Sequence, residues 1–292
     1  MKKAVVIGGS GFIGSHVADC LCNNGYDTYI YDQKESPWLS SNQHMIVGDI
    51  LDKEKLNKIL AKANVVYNFA GISDLNFALN EPVQTAEINI IGNLNIMEAC
   101  KNNEVDRFIF ASTVYVNGNE GGFYRCSKIA CEKYLEEFQK TYGLNYTILR
   151  FGSLYGPRAD NNNGILKIIS KAIKENKLIY EGHKDTTREY IHVIDAAEAS
   201  IVAINKEFKN QTLTLTGQQT IKVSDLLKMI AEILDIPEKE TEIVDKNQIG
   251  HYIRTPYAQQ TKLTKKIVPN KYVDIGEGIL QIINELKESN DS

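Results

Sequence analysis

The sequence predicts an α/β protein: a doubly wound parallel sheet with a smaller C-terminal lobe. Three observations predict it. Short apolar runs rich in β-branched residues alternate with helical patterns through the first half of the chain. Those runs are continuously apolar instead of alternating, which suits strands covered on both faces. The regularity then breaks after Gly152, at Gly156-Pro157 and the Asn-Asn-Asn-Gly cluster at 161–164, where a long loop begins.

In order, residues 3–8 (KAVVIG) read as a buried strand and 12–24 as a helix stopped by Gly25. Strands follow at 28–31 and 44–47, a helix at 53–61 and a strand at 64–70 (NVVYNFA). Pro82 opens a long helix that runs through 86–103, followed by a strand at 107–111, an amphipathic helix at 124–142 and a strand at 146–151. Beyond the loop, helices are expected at 165–174, 194–204 and 223–234. The tail from 238 reads as irregular until a last helix at 275–287, and 288–292 as a frayed end. This pattern divides the chain into a sheet-bearing part, 1–151 with a returning segment at 189–204, and a smaller lobe from 152–188 and 205–292.

Composition bounds the function. The chain has 292 residues and a net charge of −4, with no long basic run, so nucleic acid and anionic membrane surfaces are poor partners. No apolar stretch reaches membrane-spanning length, and the run at 4–7 meets Gly8 too soon for a secretory signal, which points to the cytosol. The five cysteines form neither a disulfide framework nor a zinc pattern, so no metal is expected.

The first chemical signal lies between the first strand and the first helix, Gly8-Gly9-Ser10-Gly11-Phe12-Ile13-Gly14. Glycines at 8, 11 and 14 let the backbone turn, approach a pyrophosphate and pack the helix on the sheet, while helix N-terminal amides face the anion. Asp32 ends the second strand, eighteen residues after Gly14, where a carboxylate accepts bonds from ribose hydroxyls. That charge repels a 2′-phosphate, so the expected cofactor is NAD and not NADP. Asp49-Ile50 are placed to cover the adenine, and Phe69-Ala70-Gly71 end the fourth strand where this architecture binds its ligand.

The second signal is Tyr124-Arg125-Cys126-Ser127-Lys128, with Tyr and Lys at i and i+4 on one helical face. An adjacent ammonium stabilises a phenolate, so Lys128 is expected to lower the Tyr124 pKa and fit it for proton exchange with a substrate hydroxyl.

In these motifs the chain resembles the extended short-chain dehydrogenase/reductase family, in its NAD-dependent nucleotide-sugar epimerase/dehydratase branch. The resemblance spans essentially the whole chain. It rests on Gly8–Gly14, Asp32, Asp49, Phe69-Ala70-Gly71, Asn89, Ser112-Thr113, Tyr124, Lys128, 150–158 (RFGSLYGPR) and 188–195 (REYIHVID). It implies a Rossmann-type fold, a nucleotide-diphosphate sugar as substrate, and a homodimer through the helices at 86–103 and 124–142. It also adds Asn89 and Phe151 to the cofactor site, and gives Lys128 a second role on the nicotinamide ribose.

The family's catalytic hydroxyl beside the Tyr follows the fifth strand. A gapless alignment of STVYVNG puts it on Thr113; a shift of one residue gives it to Ser112. Arg188 inherits contact with the nucleotide pyrophosphate, for which a planar guanidinium fork is suited. Arg158 and Arg254 are further candidates, and His192 reads as structural.

Family members that dehydrate carry Asp-Glu just after the Thr, and decarboxylases a Glu. Val114 and Tyr115 stand there instead, and neither shuttles a proton as a carboxyl group does. What remains is reversible oxidation and reduction at a sugar carbon, of which 4-epimerisation is the simplest cycle: Tyr124 takes the hydroxyl proton, hydride goes to NAD, the 4-keto-sugar turns over, and hydride returns to its other face. Alternatives are a net nucleotide-sugar dehydrogenase or ketoreductase, and a non-catalytic NAD-binding regulator. Two departures stand out. Ser153 replaces an Asn that usually touches substrate, shortening that contact. Tyr124 follows Thr113 by only eleven positions, with a Gly-rich bridge at 117–122, which predicts a more open pocket.

Overall fold

The structure, a computed structural model, describes residues 1–246, 250–256, 265–267 and 272–290. Its elements run β1 (Lys3–Ile7), α1 (Phe12–Asn23), β2 (Asp27–Asp32), β3 (Gln43–Val47), α2 (Lys53–Leu60), β4 (Val65–Asn68), α3 (Leu75–Asn80), α4 (Pro82–Ala86) and α5 (Asn93–Asn102). Then come β5 (Arg107–Thr113), α6 (Gly122–Tyr142), β6 (Tyr146–Phe151), β7 (Ser153–Tyr155), α7 (Gly164–Glu175), β8 (Leu178–Glu181), β9 (Thr187–Arg188), β10 (Tyr190–His192) and α8 (Val193–Val202). The chain closes with β11 (Gln211–Leu215), β12 (Ile221–Lys222), α9 (Val223–Leu234), β13 (Thr241–Val244), β14 (Lys265–Lys266) and α10 (Ile275–Asn290).

The central sheet has eight strands in the order β14-β11-β6-β5-β4-β1-β2-β3, every described pairing parallel. The continuous apolar runs are explained by its two buried faces. Val5, Ile7, Phe108 and Phe110 turn toward α2, α5 and α6, while Ala4, Val6, Ile109 and Ala111 turn toward α1 and α8. Strand order reverses between β1 and β4, so their carboxyl ends open the crevice where such sheets bind ligands. A third cluster, built from Ile165, Ile169, Leu226, Ile230, Ile279 and Ile282, forms the core under the smaller sheets.

Three expectations need correction. The helix expected through 86–103 is split by a π-helical turn, Glu87–Gly92, between α4 and α5. Gly92 packs so closely on Ile50 that a Cβ there would lie 2.4 Å from its Cδ1, and the widened turn aims Asn89 at the sheet crevice. Second, β11, read as part of the smaller lobe, pairs with β6 and extends the central sheet, burying Leu213 and Leu215 against the α1/α8 side. Third, the tail from 238 is not all irregular, because β13 pairs in parallel with β8. Of the residues expected to fray, 288–290 continue α10 and 291–292 lie outside the described residues. Among the described residues no helix is long and apolar enough to cross a membrane.

Candidate active site

The glycine loop has the shape of a phosphate cradle. Gly8 has φ +78°, and a Cβ on it would meet Ala70 N at 2.5 Å, so β1 and β4 touch through it. A Cβ on Gly14 would lie 2.2 Å from Gly8 O, which makes this glycine the contact between α1 and the loop. Gly11 differs: its added Cβ would meet nothing nearer than Gly8 O at 3.4 Å, so its surface faces outward. Phe12 and Ile13 begin α1 there, half-buried. Asp32 closes β2, and its Oδ2 accepts from Ser10 N at 3.0 Å, tying the loop to the carboxylate expected to meet the ribose. Asp49 accepts from Leu51 N (2.8 Å) and Gln33 Nε2 (2.9 Å), with Ile50 buried beside it. Phe69 packs against Phe151 at a tilt of 48°, with centroids 6.3 Å apart. This loop, with its outward glycine and adjoining acid, fits a dinucleotide.

Asn89 sits in the π-helical turn beside the crevice. Its Oδ1 accepts from Ile72 N at 2.7 Å, while its Nδ2 donates to Ile72 O (2.9 Å) and to Ser127 Oγ (3.0 Å). Its polar atoms therefore hold the loop after Gly71, which a Cβ would drive to 2.8 Å from Asn89 Oδ1. Cys131 Sγ donates to Asn89 O at 3.1 Å, satisfying a carbonyl in the π turn.

The reaction centre assembles at the carboxyl end of β5. The Thr113 hydroxyl hydrogen-bonds Tyr124. Ser112 points elsewhere: its Oγ donates to Glu132 Oε1 at 2.6 Å. Of the two hydroxyls, Thr113 is the one on the Tyr124 side, because strand alternation turns adjacent side chains to opposite faces. Glu132 also receives Arg150 Nε at 3.0 Å and NH2 at 2.6 Å, and Arg150 NH1 donates to Asn117 Oδ1 at 2.8 Å. Lys128 lies on the Tyr124 face of α6, buried, with Nζ donating to Ala111 O at 2.8 Å and sitting 5.8 Å from the Tyr124 ring centroid.

The electrostatics reverse one expectation. Burial pushes the Tyr124 phenol up to about 12, opposed by the Thr113 hydrogen bond. Lys128 does not bring it down, and burial holds that ammonium itself below its ordinary value. Desolvation dominates both groups.

The short bridge after Thr113 packs against a distant segment. After Thr113 the chain makes a single 3-10 turn, Val114–Asn117. Residues 250–256 cover it, with Gly121 N donating to Gly250 O at 2.9 Å and a Cβ on Gly118 reaching Pro256 at 3.1 Å. Tyr115 and Tyr252 stand in the wall, rings 4.8 Å apart, and Ser153 Oγ lies 3.2 Å from the Tyr252 hydroxyl. Sequence reasoning missed Tyr252 and His251 because no motif marks this segment.

The three arginines separate. Arg188 is buried, its Cζ 4.2 Å from the Tyr252 ring centroid and its NH1 bonded to Thr187 O and Ile253 O. Arg254 is exposed on the same covering segment. Arg158 is not brought to the pocket: it pairs with Asp19 of α1 at 2.8 Å and stacks on Trp38, where its positive φ of 62° directs it.

Residues 4–215 match the model of the NAD dependent epimerase/dehydratase family. The chain belongs to this family. It is 30% identical to a putative UDP-glucose 4-epimerase of Methanocaldococcus jannaschii, over 98% of this chain and 99% of that protein. It is 27% identical to a UDP-N-acetyl-alpha-D-glucosaminuronate decarboxylase of Bacillus cytotoxicus, over 80% of each. Among solved structures, a UDP-glucose 4-epimerase of Thermotoga maritima with UDP-glucose superposes with a TM-score of 0.82 at 26% identity, over 99% of both chains. The chain is thus an NAD-dependent enzyme of the epimerase/dehydratase type.

Proposed function

We infer that the protein is a UDP-hexose 4-epimerase, inverting C4 through a transient 4-keto-sugar. The observation that carries this is the Thr113–Tyr124 pair with Lys128 on the same helical face, followed by Val114 and Tyr115 in place of carboxyl groups. A redox pair without the acid–base carboxylates supports inversion over elimination or decarboxylation. The family relatives named as UDP-glucose 4-epimerases support UDP as the nucleotide.

The chain's own groups divide the work. Gly8, Gly11, Gly14 and Asp32 hold the dinucleotide, and Arg188 meets the sugar's diphosphate. Thr113 and Tyr124 grip the C4 oxygen. With its pKa near 12, Tyr124 stays protonated at neutral pH and first donates a hydrogen bond. When bound, the oxidised nicotinamide would supply a hydride acceptor and a positive charge. Lys128 stands one helical turn from Tyr124, which as its phenolate takes the O4 proton.

We place the dinucleotide on 1–151 with 189–204, and the nucleotide sugar on 152–188 and 205–292, with β11 completing the sheet. We further propose a cytosolic homodimer. Exposed Val83, Ile91, Phe123 and Tyr134 on α4, the π turn and α6 support pairing.

A panel of UDP-, GDP-, CDP- and dTDP-sugars, followed by NMR and nicotinamide absorbance, tests the activity. A C4-inverted UDP-sugar without net reduced nicotinamide is expected. Steady accumulation of the reduced form would replace the epimerase with a dehydrogenase. Tyr124→Phe should abolish turnover and keep NAD binding.

A further inference from the structure

Four side chains form a continuous row along the pocket wall. The Tyr252 ring lies with Arg188 Cζ 4.2 Å from its centroid and the Tyr115 ring 4.8 Å away. Tyr115 in turn sits edge-on to Tyr124, centroids 6.3 Å apart at 81°. Through these contacts Tyr252 and Tyr115 link Arg188, the residue assigned to the diphosphate, to Tyr124, the residue assigned to the C4 oxygen.

The row is fastened at several points. Ser153 Oγ lies 3.2 Å from the Tyr252 hydroxyl, and the Tyr115 hydroxyl 3.3 Å from His251 Nδ1. The covering segment is tied down by Thr187 N to Ile253 O at 2.8 Å and Glu189 N to Thr255 Oγ1 at 3.2 Å. Gly121, at φ +96°, leaves room for the Tyr115 ring, since a Cβ there would lie 2.8 Å from Tyr115 Cδ1. Burial drives the Tyr115 phenol far above its ordinary range, so it keeps its proton and stays neutral at working pH. This position thus offers an aromatic face where the sugar's apolar C–H face can pack.

We propose that Tyr115 and Tyr252, latched by His251 and Ser153, retain the oxidised sugar while it turns over and so keep the reaction an isomerisation. This rests on the 4-epimerase reading. Oxidation at C4 removes a hydride from carbon and a proton from oxygen, leaving a ketone. Inversion returns both, the hydride to the opposite face. A ketone that escapes first leaves the electron pair on the cofactor, and the net reaction becomes oxidation of the sugar by NAD. The aromatic row suppresses that escape, and it does so by contact and without charge.

The test uses Tyr252→Leu and Tyr115→Phe in the full chain with NAD, given UDP-galactose. Released ketone is trapped with borodeuteride after rapid filtration and counted as C4-deuterated sugar per turnover. Affinities for UDP and UDP-galactose are measured beside it. Tyr252→Leu should raise ketone release at least tenfold and weaken UDP-galactose relative to UDP, leaving UDP itself within twofold. Tyr115→Phe deletes one oxygen, keeps the ring and breaks the His251 latch; release should rise threefold or more. Unchanged release in Tyr115→Phe overturns the latch, and equal losses of UDP and UDP-galactose affinity in Tyr252→Leu overturn the sugar wall. Failure of the underlying reading shows in the wild-type arm alone, as turnover with no C4 inversion; a wild type that inverts C4 yet releases ketone every cycle overturns retention only.

Discussion

Ser112 and Thr113 are neighbours in β5 whose hydroxyls serve opposite sides of the strand: Ser112 Oγ donates to Glu132 Oε1 at 2.6 Å, and Thr113 hydrogen-bonds Tyr124. One fixes the scaffold and the other faces the reaction. Thr113→Val should lower kcat by about 10²–10³, in the range for losing a positioned proton-transfer partner, with little change in Tm. Ser112→Ala should behave inversely. It leaves Glu132 short of a buried donor, costing about 1–3 kcal/mol in denaturant unfolding, with kcat reduced less than tenfold. Equal kinetic losses in the two variants would refute the assignment.

Gly11 and Gly14 make a second contrast within one loop. Gly11→Ala places a methyl no closer than 3.4 Å to protein, at a φ of −83° that alanine adopts freely. The fold should stand and the methyl should meet the dinucleotide, so the Kd for NAD rises about tenfold or more, roughly 1.4 kcal/mol, at unchanged Tm. Gly14→Ala drives a methyl to 2.2 Å from Gly8 O, and should lower Tm by several degrees even without ligand. Thermal unfolding and NAD titration of both variants check this.

Arg188 and Arg158 differ by location. Arg188→Lys keeps a charge but loses the planar fork, and should raise KM for the UDP-sugar by about 10- to 100-fold with a smaller effect on kcat. Arg158→Ala should leave both constants within twofold and lower Tm, since it removes the pair with Asp19 and the stack on Trp38. A large KM effect from Arg158→Ala would return it to the binding site.

His192 and Asp195, at the start of α8, titrate in opposite senses. Burial depresses His192 to about 4, and neither ring nitrogen has a hydrogen-bond partner. Unfolding therefore takes up a proton between about 4 and the ordinary value of about 6.5, so this group's stability is full above that window and is lost as pH falls through it. Burial raises Asp195 to about 6. Its contribution is full below the ordinary carboxylate value and is lost as pH rises toward 6. The two effects oppose one another across pH 4–6 in the wild type. His192→Leu should expose a Tm that falls with rising pH in that range, and Asp195→Asn one that falls with falling pH. Thermal melts at half-unit pH steps decide it.

The sequence by itself determined the parallel sheet and the first half of the site. The signals there are local: continuous apolar strands, glycines at fixed spacing in one turn, and Tyr124 and Lys128 one helical turn apart. Backbone geometry turns such spacings directly into positions. Tertiary structure alone decided the rest. The π turn that carries the Asn89 amide to Ile72 and Ser127 leaves no local mark in the sequence. The proximity of Lys128 suggested a lowered Tyr124 pKa, but only folding buries the phenol, and desolvation outweighs the neighbouring charge. Tyr115, at the start of the short bridge, meets His251 and Tyr252 from more than a hundred residues away in sequence. Such contacts have no local period or spacing. They exist because the covering segment packs across the end of β5, and that packing is a property of the assembled fold.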